Sequence, residues 1–185
     1  MREKIADAAQ ILFLQDGYSA ISIRRLATEI GISPMTIYKY YDSKIQILRR
    51  LWSQIFKDLF TEIALISKRE NEPVPRLTSI SLAYVTYWLK HPDHYRMVFM
   101  SEGVSQPEVS IFVEDEQISS GLGLISQALY SALRDQQKEQ DIKIKTDVLL
   151  CNLIGISHAL ITISNYPWSN PEEVVKMAVL GVLNS

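Results

Sequence analysis

Apolar residues recur along this chain at steps of three and four, and no stretch shows the strict alternation of a half-buried strand. From Arg2 to Asp16, Ile5, Ala9, Leu12 and Phe13 form the stripe of a helix packing on one side, ended by Gly17, with Tyr18 folding back onto a small core. Ser22 is an N-cap for a second helix whose apolar face is Ile23, Leu26, Ala27 and Ile30. Gly31 follows, where a left-handed C′ position favours glycine. Ser33 caps again and Pro34 sits at N1, where its missing N–H costs nothing. The third helix keeps Ile37 and Tyr41 for the core and turns Met35, Thr36, Tyr38, Lys39 and Tyr40 the other way.

After the short turn Tyr41-Asp42-Ser43, in which Asp42 or Ser43 can cap, Ile45, Leu48, Trp52, Ile55, Leu59, Ile63 and Ile66 predict one long helix to about Ser67. Lys68 to Pro75 reads as a loop. A helix from about Pro75 carries Leu77, Ile80, Tyr84, Tyr87 and Trp88 and stops at His91-Pro92, and Asp93 to Met100 makes another short one. Ser105 and Glu108 stand at capping-box spacing before a helix running toward Gln137, in which Gly121 and Gly123 mark a bend or a break. Asp135 to Lys145 reads as a polar connection, and Thr146 as the cap of an apolar run to Ser164. Asn170, Pro171 and Glu173 are the cap, N1 and N3 of a last helix burying Val174, Val175, Ala178, Val179 and Val182. The fold class is all-α.

Two short helices joined by a glycine-containing turn are a helix-turn-helix, whose second helix is the one that enters the major groove. Residues 5–45 go further and resemble the DNA-binding domain of TetR-family transcriptional regulators. The residues that carry the likeness are Gly17, Ser22, Leu26-Ala27, Gly31-Ile32-Ser33, Thr36-Ile37-Tyr38, Tyr41 and Lys44. Helix geometry and this resemblance together nominate Arg24, Ser33, Pro34, Met35, Thr36, Tyr38, Lys39, Tyr40 and Lys44 for DNA contact. Tyr38 and Lys44 match family positions that usually hold the DNA backbone. Met35 stands where the family often has a small residue, so no base preference carries over. Tyr84 to Met100, with its His-Pro step and Tyr95-Arg96, more loosely resembles part of the regulatory domain in one branch of the family.

Charge sharpens this picture. The net charge is −2, but residues 1–50 hold eight Lys/Arg against five Asp/Glu, a balance of +3, and residues 51–185 hold eleven against sixteen, a balance of −5. A basic head on an acidic body suits phosphate binding at one end. The expected domains are therefore residues 1–45, which read double-stranded DNA, and residues 46–185, a helical regulatory module. The single cysteine, Cys151, excludes an internal disulfide framework and is expected to pack inertly in its apolar run. Arg2, Glu3, Lys4 and Asp7 interrupt any apolar leader, and a cytoplasmic protein is expected.

The resemblance implies that the body senses a ligand and pairs two chains as a homodimer, the whole acting as a ligand-responsive repressor on a palindromic operator. Tyr84, Trp88, Tyr95 and Phe99 are the candidates for holding a small apolar or aromatic effector, against the plainer reading that aromatics at helical spacing only fill the core. Asn152 and His158, on an apolar helix, are expected at the seam between chains. No metal and no cofactor are expected: His91 and His94 are three apart, but Pro92 intervenes and no cysteine or carboxylate cluster accompanies them. Enzymes are the competing class, and the chain has no glycine-rich phosphate loop and no nucleophile–base grouping. A helical protein using its head for protein contacts is the other.

Overall fold

A computed structural model describes residues 1–101, 116–133 and 139–185. Its helices are α1 (Arg2–Asp16), α2 (Ile23–Ile30), α3 (Pro34–Tyr38), α4 (Lys44–Ser67), α5 (Pro73–Lys90), α6 (Pro92–Phe99), α7 (Glu116–Ala132), α8 (Glu139–Thr162) and α9 (Pro171–Leu183), with a 3-10 turn at Tyr18–Ala20. No strand occurs among the described residues, and the all-α expectation holds. The expected capping box at Ser105 and Glu108 lies outside the described residues. The helices divide into two compact units, residues 1–57 with 93–118, and residues 58–92 with 119–185. This division falls inside α4 rather than after residue 45, and it groups α6 with the head.

In the first unit, α1 packs on α2, and α2 on α3. Ile5, Leu12, Leu26, Ile37, Ile47 and Leu48 form its centre, each at most 1% exposed. Trp52 of α4 donates its indole N–H to the carbonyl of Met97 on α6 (3.1 Å), a buried bond to a carbonyl that also accepts from the Ser101 hydroxyl. At the start of α4, Asp42 and Gln46 bond reciprocally, backbone N–H to Oε1 and Nε2 to Oδ2, both at 3.0 Å. The pair ties the preceding turn to the first turn of the helix.

In the second unit, α5 packs on α8 and α9, and these two on each other. Its core includes Leu77, Ile80, Trp88, Ile125, Leu129, Leu149, Leu153, Val175 and Val179, all at 0% exposure. Helix α5 starts at Pro73, two residues before the expected point, with Pro73 in the first turn. Pro75 is tolerated there because the first N–H groups of a helix have no intrahelical acceptor. Helix α7 runs unbroken through Gly121 and Gly123, where a bend or break was expected. The role of Gly121 is close approach: a Cβ there would overlap the ring of Phe60. Gly121→Ala should therefore destabilise the protein by about 1–3 kcal/mol, and adding Phe60→Leu should restore most of the loss in a denaturant titration.

Helix α8 begins at Glu139, so the expected polar connection is helical where it is described, and Thr146 does not cap. Its hydroxyl donates instead to the carbonyl of Ile142 (2.9 Å). The polar run stays helical because its charges find partners: Lys143 pairs with Asp147 one turn on (2.6 Å). The Lys145 ammonium donates to the carbonyls of Val182 (3.1 Å) and Ser185 (2.6 Å) at the end of α9. That end position favours a cation.

The stretch Asp141–Thr162 is long and apolar enough to cross a membrane by length and composition, and little of it is buried by the described residues. Thr146, Leu149, Leu153 and Ser157 face inward, while Ile144, Val148, Cys151, Asn152, Gly155 and His158 are exposed. Cys151 is thus on the surface rather than packed in the run, because the run has two faces and the described residues cover one.

Candidate nucleic-acid interface

The helix-turn-helix forms for the local reasons its residues dictate. The Ser22 hydroxyl accepts the N–H of Arg25 (3.1 Å) and opens α2. Gly31 closes it at φ 70, a left-handed conformation that a β-carbon disfavours. The Gly31 and Ile32 N–H groups then return to the carbonyls of Thr28 (3.2 Å) and Ala27 (2.9 Å), closing the end of α2. The Ser33 hydroxyl accepts the N–H of Thr36 (3.2 Å), and Pro34 fills the first turn of α3.

Helix α3 has 5 residues, and Ile37 alone of them is buried. Ser33, Pro34, Met35 and Tyr38 are exposed and Thr36 is half-buried. Lys39 is exposed, but it follows the helix as its C-cap rather than continuing it. Tyr40, expected on the exposed side, is only half-exposed and also lies past the helix end. Met35 at 69% and Tyr38 at 49% exposure are large side chains left uncovered by the described residues. An apolar and an aromatic surface side by side on a short helix invite a partner.

The cations around the helix-turn-helix are held in different ways. Arg25 pairs with Asp16, and Arg50 donates to Glu3 (2.7 Å). Arg50 is held above its ordinary pKa chiefly by that bond to Glu3. Arg24, exposed in the first turn of α2, and Lys39 make no ion pair among the described residues, which leaves both available to phosphate oxygens. Lys44 is different. Its ammonium donates to the carbonyl of Tyr18 (2.6 Å) and lies 3.5 Å from the centre of the Tyr18 ring. It ties the start of α4 to the turn before α2, a contact the sequence pattern gave no sign of. Lys44→Gln should lower stability by about 1–2 kcal/mol and leave the slope of log K against log salt nearly unchanged. Lys39→Gln should flatten that slope by about 0.9, the loss of one phosphate contact. Filter binding over a salt series separates the two.

Of the residues nominated for an effector, Tyr84 and Trp88 lie in the second unit and Tyr95 and Phe99 in the first. Tyr84 and Trp88 are buried and meet edge to face, with centroids 6.1 Å apart. Tyr87 lies against Trp88 and His91, and burial, then the charges of Asp58 and Glu62, push its phenol well above the ordinary range. Tyr95 is buried, which raises its phenol too, and it packs on Phe99, which is 37% exposed. A residue the sequence pattern did not single out is Ser81. Its hydroxyl is fully buried on α5 with no hydrogen-bond partner among the described residues, and helical spacing places it on the Tyr84–Trp88 face.

Residues 5–51 match the family model of bacterial regulatory proteins, tetR family. The chain is 33% identical over 98 residues to the nucleoid occlusion factor SlmA of Cronobacter sakazakii, which covers 52% of this chain and 50% of that protein. It is 26% identical over 143 residues to SlmA of Serratia proteamaculans, covering 77% and 68%. The chain thus spans half the length of the first of these relatives. The fatty acid degradation regulator FadR of Bacillus halodurans superposes with a TM-score of 0.75 over 98% of this chain and 94% of that one, at 15% identity. A transcriptional regulator of the TetR/AcrR family from Thermobifida fusca does so with 0.65 over 99% and 96%, at 18% identity. At such identities these structures speak for the fold. Residues 5–51 thus carry the DNA-binding domain of the tetR family of bacterial regulatory proteins, and the chain shares the fold of solved TetR-family regulators.

Proposed function

We propose that the protein is a ligand-responsive repressor that binds a palindromic operator as a homodimer in the cytoplasm. Residues 1–45 read DNA, and residues 46–185 pair the chains and sense a small apolar or aromatic effector. The observation that carries the DNA reading is the exposed outer surface of α3, Met35 to Lys39, on a helix whose inner surface is a single core residue. Pairing is supported by the uncovered face of α8 together with Met177 (70% exposed) and Leu180 (36%) on α9. A hollow of about 300 Å³ opens on that face between Cys151, Gly155, Leu160, Trp168 and Val174. A second copy would cover all of these by two-fold symmetry. Effector sensing is supported by the Ser81 hydroxyl, which needs an acceptor or donor, beside the rings of Tyr84 and Trp88.

The test of DNA reading is competition binding on a duplex selected by the protein and on its scrambled counterpart. Tyr38→Ala should weaken both by roughly five-fold, the worth of about one net hydrogen bond. Equal affinity of Tyr38→Ala and the parent protein for both duplexes would sink the assignment. Effector sensing has its own test, since linkage requires DNA to lower the affinity of an effector by the factor by which the effector lowers that of DNA.

A further inference from the structure

The first turn of α3 offers a groove mostly hydrocarbon, with two hydroxyls that are engaged with each other. The Ser33 hydroxyl is occupied as the cap of the helix, accepting the Thr36 N–H. The Thr36 hydroxyl is drawn to the same cap, with Ser33 Oγ and Thr36 Oγ1 2.9 Å apart, so its γ-methyl is the branch not engaged in that bond. Pro34 has no N–H and a hydrocarbon ring. Met35, 69% exposed, presents a thioether and a methyl. No arginine, asparagine or glutamine, the side chains that read guanine and adenine edges, stands between residues 33 and 36.

One hydrocarbon group lies on the floor of the major groove, the C5-methyl of thymine. We infer that Met35 and the Thr36 methyl read thymine by that methyl, so that each operator half-site carries a thymine opposite this turn. Hydrogen bonding to the base contributes little there. The inference rests on the DNA-reading function proposed above. It has a corollary: 5-methylcytosine presents the same methyl at the same ring position and substitutes for the thymine at that contact.

The test begins with a duplex selected from random sequence by the full-length protein. Each thymine of a half-site is replaced in turn by deoxyuridine, which removes the methyl and leaves the pairing and the O4 acceptor. At the contacted position the affinity should fall about four-fold per half-site, the equivalent of about 0.8 kcal/mol for one buried carbon. Putting 5-methylcytosine, paired with guanine, at that position should recover affinity relative to unmethylated cytosine. Thr36→Ser keeps the hydroxyl at the cap and deletes only the methyl, and Met35→Ala deletes the thioether. Both residues are at least partly exposed and neither change touches the core. In the double variant the deoxyuridine penalty should disappear while operator preference from other positions remains. A penalty that persists undiminished in that variant, or the absence of any sensitive thymine in a duplex the protein prefers, overturns the inference and leaves DNA reading intact. If no preferred duplex emerges from selection, the inference and the function beneath it fall together.

Discussion

Gly155→Arg is expected to convert the protein to a monomer and to lower operator affinity by about a thousand-fold or more, toward the level of non-specific binding. Within one chain the change is mild. A Cβ at Gly155 meets nothing within 4 Å, the residue is exposed, and arginine favours a helix over glycine. The proposed seam is where it matters, because two-fold symmetry brings the new charge in twice and buries it against Val148 and Cys151. Met177→Glu on α9 should act in the same direction, since that side chain is 70% exposed in the single chain. Such point changes serve better than removing Pro167 to Ser185. Val175, Val179 and Val182 of α9 are core residues of their own unit, so deletion would unfold it. Sedimentation gives the state of association and operator titration the affinity. A dimer of undiminished affinity in both variants would place the seam elsewhere.

Ile37→Ala should cost about 2–5 kcal/mol and abolish operator binding. Helix α3 is held by little else, since Ile37 is its one buried residue and 0% exposed. A helix of 5 residues has no stability of its own. Losing the anchor frees the helix from the frame that aims it. The neighbouring Tyr38→Ala removes a surface contact and should leave thermal stability near that of the parent. Calorimetric unfolding of the two variants, beside their binding curves, distinguishes loss of the frame from loss of a contact. If Ile37→Ala bound DNA as Tyr38→Ala does, the burial of this residue would not be what orients the helix.

Much of the head was legible in the sequence because its signals are short-range. Ser22, Gly31, Ser33 and Pro34 act on the backbone within a few residues of themselves, and each does so as expected. The hold of Lys44 on Tyr18 was hidden because it joins residues 26 apart through a carbonyl that any residue could supply. Gly121 misled for the same kind of reason: its need for a small residue comes from Phe60, on another helix. The start of α8 was misplaced because Asp141, Lys143, Lys145 and Asp147 are polar like a loop. Lys143 meets Asp147 one turn away, and Lys145 finds its partners at the far end of α9. The aromatic residues of 84–99 could be located but not grouped, since periodicity gives the face of a helix and not the helix it meets.

The uncovered stripe of α8 also bears on the genetics of the protein. If the stripe is what joins two chains, it includes none of the residues proposed to read DNA, so a chain with a ruined reading surface still pairs. A Tyr38→Ala or Ile37→Ala allele expressed in excess would draw most intact chains into hybrids with one working head, and the defect would be dominant. A Gly155→Arg allele, which cannot pair, would leave the intact chains to one another and be recessive.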